Sequence, residues 1–248
     1  MNKRHTFGKM TLEIFDESGN KIADLPPGKS KGLNEVLWNY THQMPKVAKG
    51  KTLASGGFSA PKYPAGKYTV KITKGNQVYE QDLVLKYSDQ SVISETERKI
   101  QYEKSMILYK MSEQLAIEVE KMDLLLQTTE EIYNKTLDKK VQKKLNLSGY
   151  KKQLEETKEK MVVLTGDNYV GQAEPRLREK ISSLYSEILS YPGVPSNAQL
   201  KNIEVLQKEF EQIKSEIENH VLTAKAKNKL LKENNILNRI LSEPEAKP

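Results

Sequence analysis

The chain has 248 residues, 37% of them hydrophobic and 29% charged, with 40 Lys and Arg against 33 Asp and Glu for a formal net charge of +7. It has no cysteine, which excludes disulfides, thiolate metal sites and thiol nucleophiles. No apolar run approaches the ~18 residues that read as a membrane-spanning helix, and the excess of basic residues is interleaved with acids as on solvated helix faces.

The first nine residues are basic but lead into no apolar core of a signal peptide, so 1–9 is expected to be a disordered start. Residues 10–15 alternate as a strand. Asp16, Glu17, Ser18, Gly19 and Asn20 supply turn chemistry, and 21–25 resumes as the return strand of a hairpin. A further strand is expected over 32–40, placing Asn34, Val36, Trp38 and Tyr40 on one face, with the lone Trp38 as a core anchor. A long Gly-, Ser- and Lys-rich connection covers 41–60, and Pro64, Ala65 and Gly66 form a turn. Tyr68, Val70 and Ile72 then alternate with polar residues, Gly75 and Asn76 make a two-residue hairpin turn, and 78–87 returns. Short strands between Gly and Pro turns predict an antiparallel β-sandwich over 10–88, its core centred on Trp38 with Val36, Tyr68, Val70, Ile72 and Leu83.

Beyond Ser88 the apolar period lengthens to about 3.5, and no proline occurs between 94 and 174. Ile107, Met111, Leu115, Val119, Met122 and Leu126 trace a stripe, with Ser94 and Glu97 as a capping box before it. A second stripe runs through Leu147, Tyr150, Leu154 and Met161, is interrupted at 166–171, and resumes at Leu177, Ile181, Leu184 and Ile188. Pro192 and Pro195 stop it, and Ser196 or Asn197 caps the next helix. Ile203, Leu206, Phe210, Ile213, Ile217, His220 and Ala224 step alternately by three and four, a heptad seam. Three such stripes need one another for burial, which predicts a long antiparallel three-helix, coiled-coil-like bundle over 92–241 and a disordered tail at 242–248.

Candidate chemistry is sparse. Gly28, Lys29 and Ser30 end like a phosphate loop, but position 23 is Ala where that loop needs Gly. Asp16 to Asn20 has too few oxygen ligands for a calcium loop and reads as a turn. His5, His42 and His220 are too scattered for a metal motif; His220 falls on the seam as a hydrogen-bonded, partly buried histidine. Glu130 with Glu131 and Glu155 with Glu156 sit among lysines as salt-bridge partners. Lys139, Lys140, Lys143, Lys144, Lys151 and Lys152 read as an exposed helix end, against the alternative of an anion-binding patch. No catalytic, cofactor-binding or metal residues are expected, and neither nucleic acid nor a membrane span is an expected partner.

Thr11, Leu12, Glu13, Ile14, Phe15 and Asp16 with Gly19, then Gly32, Leu33, Asn34 and Trp38, then the run from Pro64 through Val70, resemble the immunoglobulin-like domain of the flagellar hook-capping type. Together with the helical region, including the stretch after Pro192 and the late Asn228, Leu230 and Leu231, they resemble the C-terminal part of bacterial sortilin-like proteins with BNR (Asp-box) repeats, described as glycosyl hydrolase-like. The family often has Asp after this Trp; here it is Asn39, so that carboxylate is missing. The resemblance implies a non-catalytic, extracytoplasmic C-terminal accessory region of a larger secreted or cell-surface protein. It implies as partners the N-terminal propeller of its own parent chain and a protein or glycan contact. No Asp-box lies in this sequence, so any glycosidase site belongs to the propeller. The alternatives are a free-standing coiled-coil adaptor and an enzyme with a dispersed site.

Overall fold

The computed structural model describes residues 10–28, 30–52, 55–135, 139–164 and 174–231. The expected disordered start at 1–9, the break at 166–171, the end of the bundle at 232–241 and the tail at 242–248 lie outside the described residues, as does His5. The architecture is mixed β and α: an N-terminal four-stranded antiparallel sheet, then a mostly helical region with five helices among the described residues.

The chain divides into two compact units. The first holds the described residues up to Gln43, Pro61–Glu103 and Pro192–Val194; the second holds Met44–Ala60, Lys104–Tyr191 and the described residues from Pro195 onward. The segment Met44–Ala60, which chain order places inside the β-region, therefore belongs to the second unit.

In the first unit, β1 (Met10–Phe15), β2 (Lys21–Leu25), β3 (Gly66–Lys74) and β4 (Gln77–Leu85) form one sheet in the order β2-β1-β3-β4. Asp16 makes the first turn: its carboxylate accepts from the Ser18 and Asn20 backbone N–H at 3.0 and 2.8 Å, and Gly19 supplies the positive φ of 80°. Gly75 and Asn76 make the second, with Gly75 at φ 59° and Lys74 opposite Gln77. The register sets Leu12 opposite Ile72, Ile14 opposite Val70 and Leu83 opposite Tyr68, so one face is apolar. The other carries Glu13 opposite Lys71 and Lys71 opposite Glu80, with an ion pair at 3.0 Å.

The expected strand over 32–40 does not form. Asn34 turns its side chain onto its own loop, accepting from Ser30 N–H at 2.9 Å and donating to the Ser30 and Gly32 carbonyls, local bonds that compete with a ladder. Tyr40, at φ 45°, breaks the extended run, and a single bridge joins Thr41 to Lys62. Trp38 still packs as an anchor, its ring 5.5 Å from Tyr68 and 5.9 Å from Tyr63. Its site is half-buried, and the enclosed core of this unit rests on Ile14 and Tyr68. The Tyr68 hydroxyl donates back to the Pro64 carbonyl at 2.7 Å.

The helices are α1 (Glu95–Lys135), α2 (Lys139–Lys144), α3 (Leu147–Met161), α4 (Leu177–Ser190) and α5 (Asn197–Leu231). The capping box of α1 is present: Ser94 N–H donates to Glu97 at 2.8 Å and Glu97 N–H to the Ser94 hydroxyl at 3.3 Å. Ser196 and Gln199 repeat it for α5 at 2.9 and 3.3 Å. In the second unit, cross-links fix the helix directions. Lys151 meets Glu130 and Lys158 meets Asp123, so α3 runs antiparallel to α1. Lys227 donates to the Leu145 carbonyl, Tyr150 to the His220 carbonyl at 2.7 Å, Lys160 pairs with Glu216 at 2.8 Å and Lys180 with Glu209 at 2.9 Å, so α5 runs antiparallel to α3 and then α4. One hydrophobic core joins Leu115, Met122, Leu154, Met161, Ile181, Tyr185, Phe210 and Ile217 from α1, α3, α4 and α5. Burying chains of this size contributes about 2 kcal/mol each relative to exposure.

Candidate functional site

Three polar or surface features stand out in the second unit, and one aromatic cluster in the first. In the second unit, Arg178 at the start of α4 is 4% exposed. Its guanidinium donates to the Ala48 carbonyl at 3.1 Å, to the Thr52 carbonyl, and to the Thr52 hydroxyl at 3.1 Å; its Nε lies 2.9 Å from Glu179. That Nε makes no well-aligned hydrogen bond despite the short approach, so the Glu179 contact is an ion pair more than a bond. Glu179 also accepts from the Thr52 hydroxyl at 2.7 Å and the Arg176 N–H at 3.2 Å. Lys51 N–H donates to the Val163 carbonyl at 2.9 Å, and Tyr185 to the Ser59 carbonyl at 3.1 Å. A buried cation with its donors turned onto loop carbonyls is a clamp: it ties Ala48 and Thr52 to α4.

The second feature is the polar layer of the α3–α5 seam. The Thr157 hydroxyl is 2.9 Å from His220 Nε2 and 3.4 Å from Glu216, which is held by Lys160. The Tyr150 ring lies 5.9 Å from His220, with Lys227 over its face. Burial lowers the His220 pKa below its ordinary value; Glu216 opposes that and Lys160 adds to it. Hydroxyl, imidazole and carboxylate meet here, with Thr157 4% exposed. In the first unit, His42 stacks on Tyr63 with ring centres 3.9 Å apart and meets the Tyr102 hydroxyl at 2.9 Å. Burial pushes its pKa down to about 4.

The third feature is a groove of about 540 Å³ along α4 and α5. Its floor is Leu184 and Leu206, and Val205 stands on its lip, 52% exposed. Pro175 also lines it, with the charged Glu179, Lys180, Glu187 and Glu209. Lys180 is neutralised by Glu209 and Glu179 by Arg178, so Glu187 is the acid left over; it takes a weak bond from the Ser183 hydroxyl at 3.3 Å.

The residues singled out in the sequence stay apart. Asp16 to Asn20 is a turn closed on its own backbone. Glu130 pairs with Lys151 and Glu156 with Lys152. Lys143 and Lys144 occupy the last turn of α2. Among the described residues no group of three or more His, Asp or Glu is placed to hold a metal ion, and no helix is long and apolar enough to cross a membrane. Val205 and Arg178 were not legible as functional or anchoring positions: Val205 lies one step off the seam, and the loop partners of Arg178, Ala48 and Thr52, are 126 to 130 residues away. No protein-family model, curated protein or solved structure matches this chain.

Proposed function

We propose that this chain is a non-catalytic accessory and interaction region, and that the α4–α5 groove receives an amphipathic helix of a protein partner. The observation that carries the proposal is the groove itself: an apolar floor of Leu184 and Leu206, an exposed β-branched Val205 beside it, and Glu187 in its lining. A helix laid against two antiparallel helices extends the bundle by one member and buries such a lip. The partner helix that fits presents a branched apolar side chain to Val205 and a basic residue to Glu187.

The resemblance to the C-terminal region of sortilin-like proteins makes a helix carried by the propeller-bearing part of the parent protein the occupant, in a secreted or cell-surface setting outside the cytoplasm. In this reading the four-stranded sheet is one layer of an Ig-like sandwich. The bond from Tyr68 to the carbonyl four residues upstream supports it, because Ig-like domains anchor a corner with such a tyrosine. Helix α1, the α3–α4 pair and α5 are then the three legs of an antiparallel bundle, a reading that the cross-links between them support. A free-standing adaptor uses the same groove for a helix of a separate protein.

This chain lacks cysteine, so Val205→Cys places a single thiol within it, and labelling is read at that position by peptide mapping. The proposal expects fast maleimide labelling in the isolated chain and slow labelling in the full-length parent, with Val92→Cys, at a position 94% exposed, as the control that stays fast in both. Equal rates at position 205 in both contexts reject the propeller-bearing part as the source of the occupant.

A further inference from the structure

β4 is an edge strand of nine residues, Gln77–Leu85, paired on one side with β3. The two-residue turn fixes which backbone groups it uses. Lys74 and Gln77 flank the turn and so form a hydrogen-bonded pair, and the alternation carries that state to Ile72 with Tyr79, Val70 with Gln81 and Tyr68 with Leu83. The N–H and C=O groups of Val78, Glu80, Asp82 and Val84 therefore point away from β3, to an edge with which no strand among the described residues pairs. Their side chains share the polar face of the sheet, with Val78 and Val84 each 52% exposed.

A long unblunted edge is a template for another strand. The side chains decide which. In a two-fold pairing of β4 with a second copy, the outward residues meet one another antiparallel. Centring the pair on Gln81 sets Glu80 against Asp82 twice; centring it on Glu80 or Asp82 sets that acid against itself. Every register with three or more outward pairs thus opposes like charges, which destabilises cross-strand pairing. A strand with bases at those two places gains instead of losing, most of all at Asp82, because Glu80 already holds Lys71 of β3 at 3.0 Å.

We propose that the β4 edge binds an extended basic segment of a partner protein by strand addition, with lysines opposite Glu80 and Asp82 and β-branched residues opposite Val78 and Val84. This surface is separate from the α4–α5 groove and stands whether or not that groove is occupied. Main-chain bonds from the outward groups supply affinity, and the two acids supply selection and orientation.

The test uses the full chain and a dye-labelled peptide, Val-Thr-Lys-Ile-Lys-Thr-Val, followed by fluorescence anisotropy. Two controls are its counterpart with Glu for both Lys, and the same lysine peptide N-methylated at both lysine amides, which removes the two central donors to β4 without touching the protein. The lysine peptide is expected to bind saturably, and each control at least about tenfold more weakly. Asp82→Lys, a change on an exposed face, should remove the preference for the Lys peptide over the Glu peptide, because each then meets one like and one opposite charge. No binding, equal binding of the lysine and N-methylated peptides, an unchanged preference in Asp82→Lys, or a chain that dimerises through β4 would each overturn the proposal.

Discussion

The Thr157 hydroxyl and the His220 imidazole meet at 2.9 Å across the α3–α5 seam, at a place where the heptad pattern would accept an aliphatic residue. Burial holds the His220 pKa below 6.5, with Glu216 and Lys160 acting in opposite senses, and burial holds His42 at about 4. A histidine with a lowered folded pKa binds its proton more readily when unfolded. The stability it lends is full above the unfolded value near 6.5 and is lost as pH falls toward the folded value. Denaturant midpoints are expected to fall between pH 6.5 and 4, and the fall should shrink when His42 and His220 are both replaced by Gln. A midpoint equally pH-dependent in that double variant would assign the effect to other groups.

Gly50 and Arg178 are similarly interdependent. A Cβ at position 50 would lie 2.8 Å from Arg178 Cζ and closer still to Nη1. The guanidinium cannot swing aside without releasing the Ala48 and Thr52 carbonyls and the Glu179 carboxylate. Gly50→Ala is therefore expected to cost about 2 kcal/mol through crowding, and Arg178→Ala about 3 kcal/mol, since removing the cation strands its buried partners. Arg178→Lys should recover little, because an ammonium cannot span the three sites that the planar fork reaches. Chemical denaturation monitored by helical circular dichroism measures all three.

Local chemistry made part of this fold legible. The strand ends at Phe15 and Lys21 follow from Asp16 and Gly19, and the β3–β4 register from Gly75 and Asn76. Ser94 and Ser196 mark two helix starts through side chains three residues away. The seam from Ile203 to Ile217 is buried as its spacing requires. The features that stayed hidden depend on distant residues. Alternation at 32–40 looks like a strand, yet among the described residues no strand of the sheet pairs with it and Asn34 bonds its own loop. Leu108 and Leu125 lie outside the single α1 stripe but are buried, because α1 has packed neighbours on more than one side. The destination of 44–60 was set by Arg178, far along the chain. The groove residues Val205 and Glu187 carry no motif at all.

Trp38 is the single indole and lies in the first unit, so its fluorescence reports that unit alone. Its Nε1 is buried without an acceptor among the described residues, while the ring packs on Tyr63 and Tyr68. Trp38→Ala is expected to destabilise this unit by about 3 kcal/mol, toward the low end for large aromatic truncations because the residue is half-buried. Trp38→Phe should cost less, since it keeps ring packing and removes an unsatisfied donor. Native emission should be blue-shifted relative to the unfolded chain; coincident native and unfolded maxima would contradict this placement.

The α5 seam leaves little for a second copy. Ile203, Leu206, Phe210, Ile213 and Ile217 are each no more than 5% exposed within one chain. An intermolecular coiled coil would have to expose the same residues from their present core first. Sedimentation equilibrium is expected to return a monomer, with helicity independent of dilution. A dimer that loses helicity on dilution would show that the seam is shared between chains.

Hydrolysis of aryl glycosides, sialosides included, is expected to stay at background for the purified chain. Glycoside cleavage uses two carboxyl groups roughly 5–10 Å apart across one cleft, one of them kept protonated by a water-poor setting. Glu13 and Asp24 do approach one another on the sheet, but Lys21 Nζ sits between them at 3.4 and 3.3 Å and Asp24 is open to solvent. Glu118, largely buried, is occupied by Lys121 at 2.9 Å, and Glu179 by Arg178 and Thr52. Each of these acids is already committed to a cation, and the α4–α5 groove has an aliphatic floor, with Glu179 and Glu209 of its lining held by Arg178 and Lys180. Sustained turnover abolished by one Asp or Glu substitution, with the fold intact, would refute the accessory reading; activity that survives every such substitution would point to a contaminant.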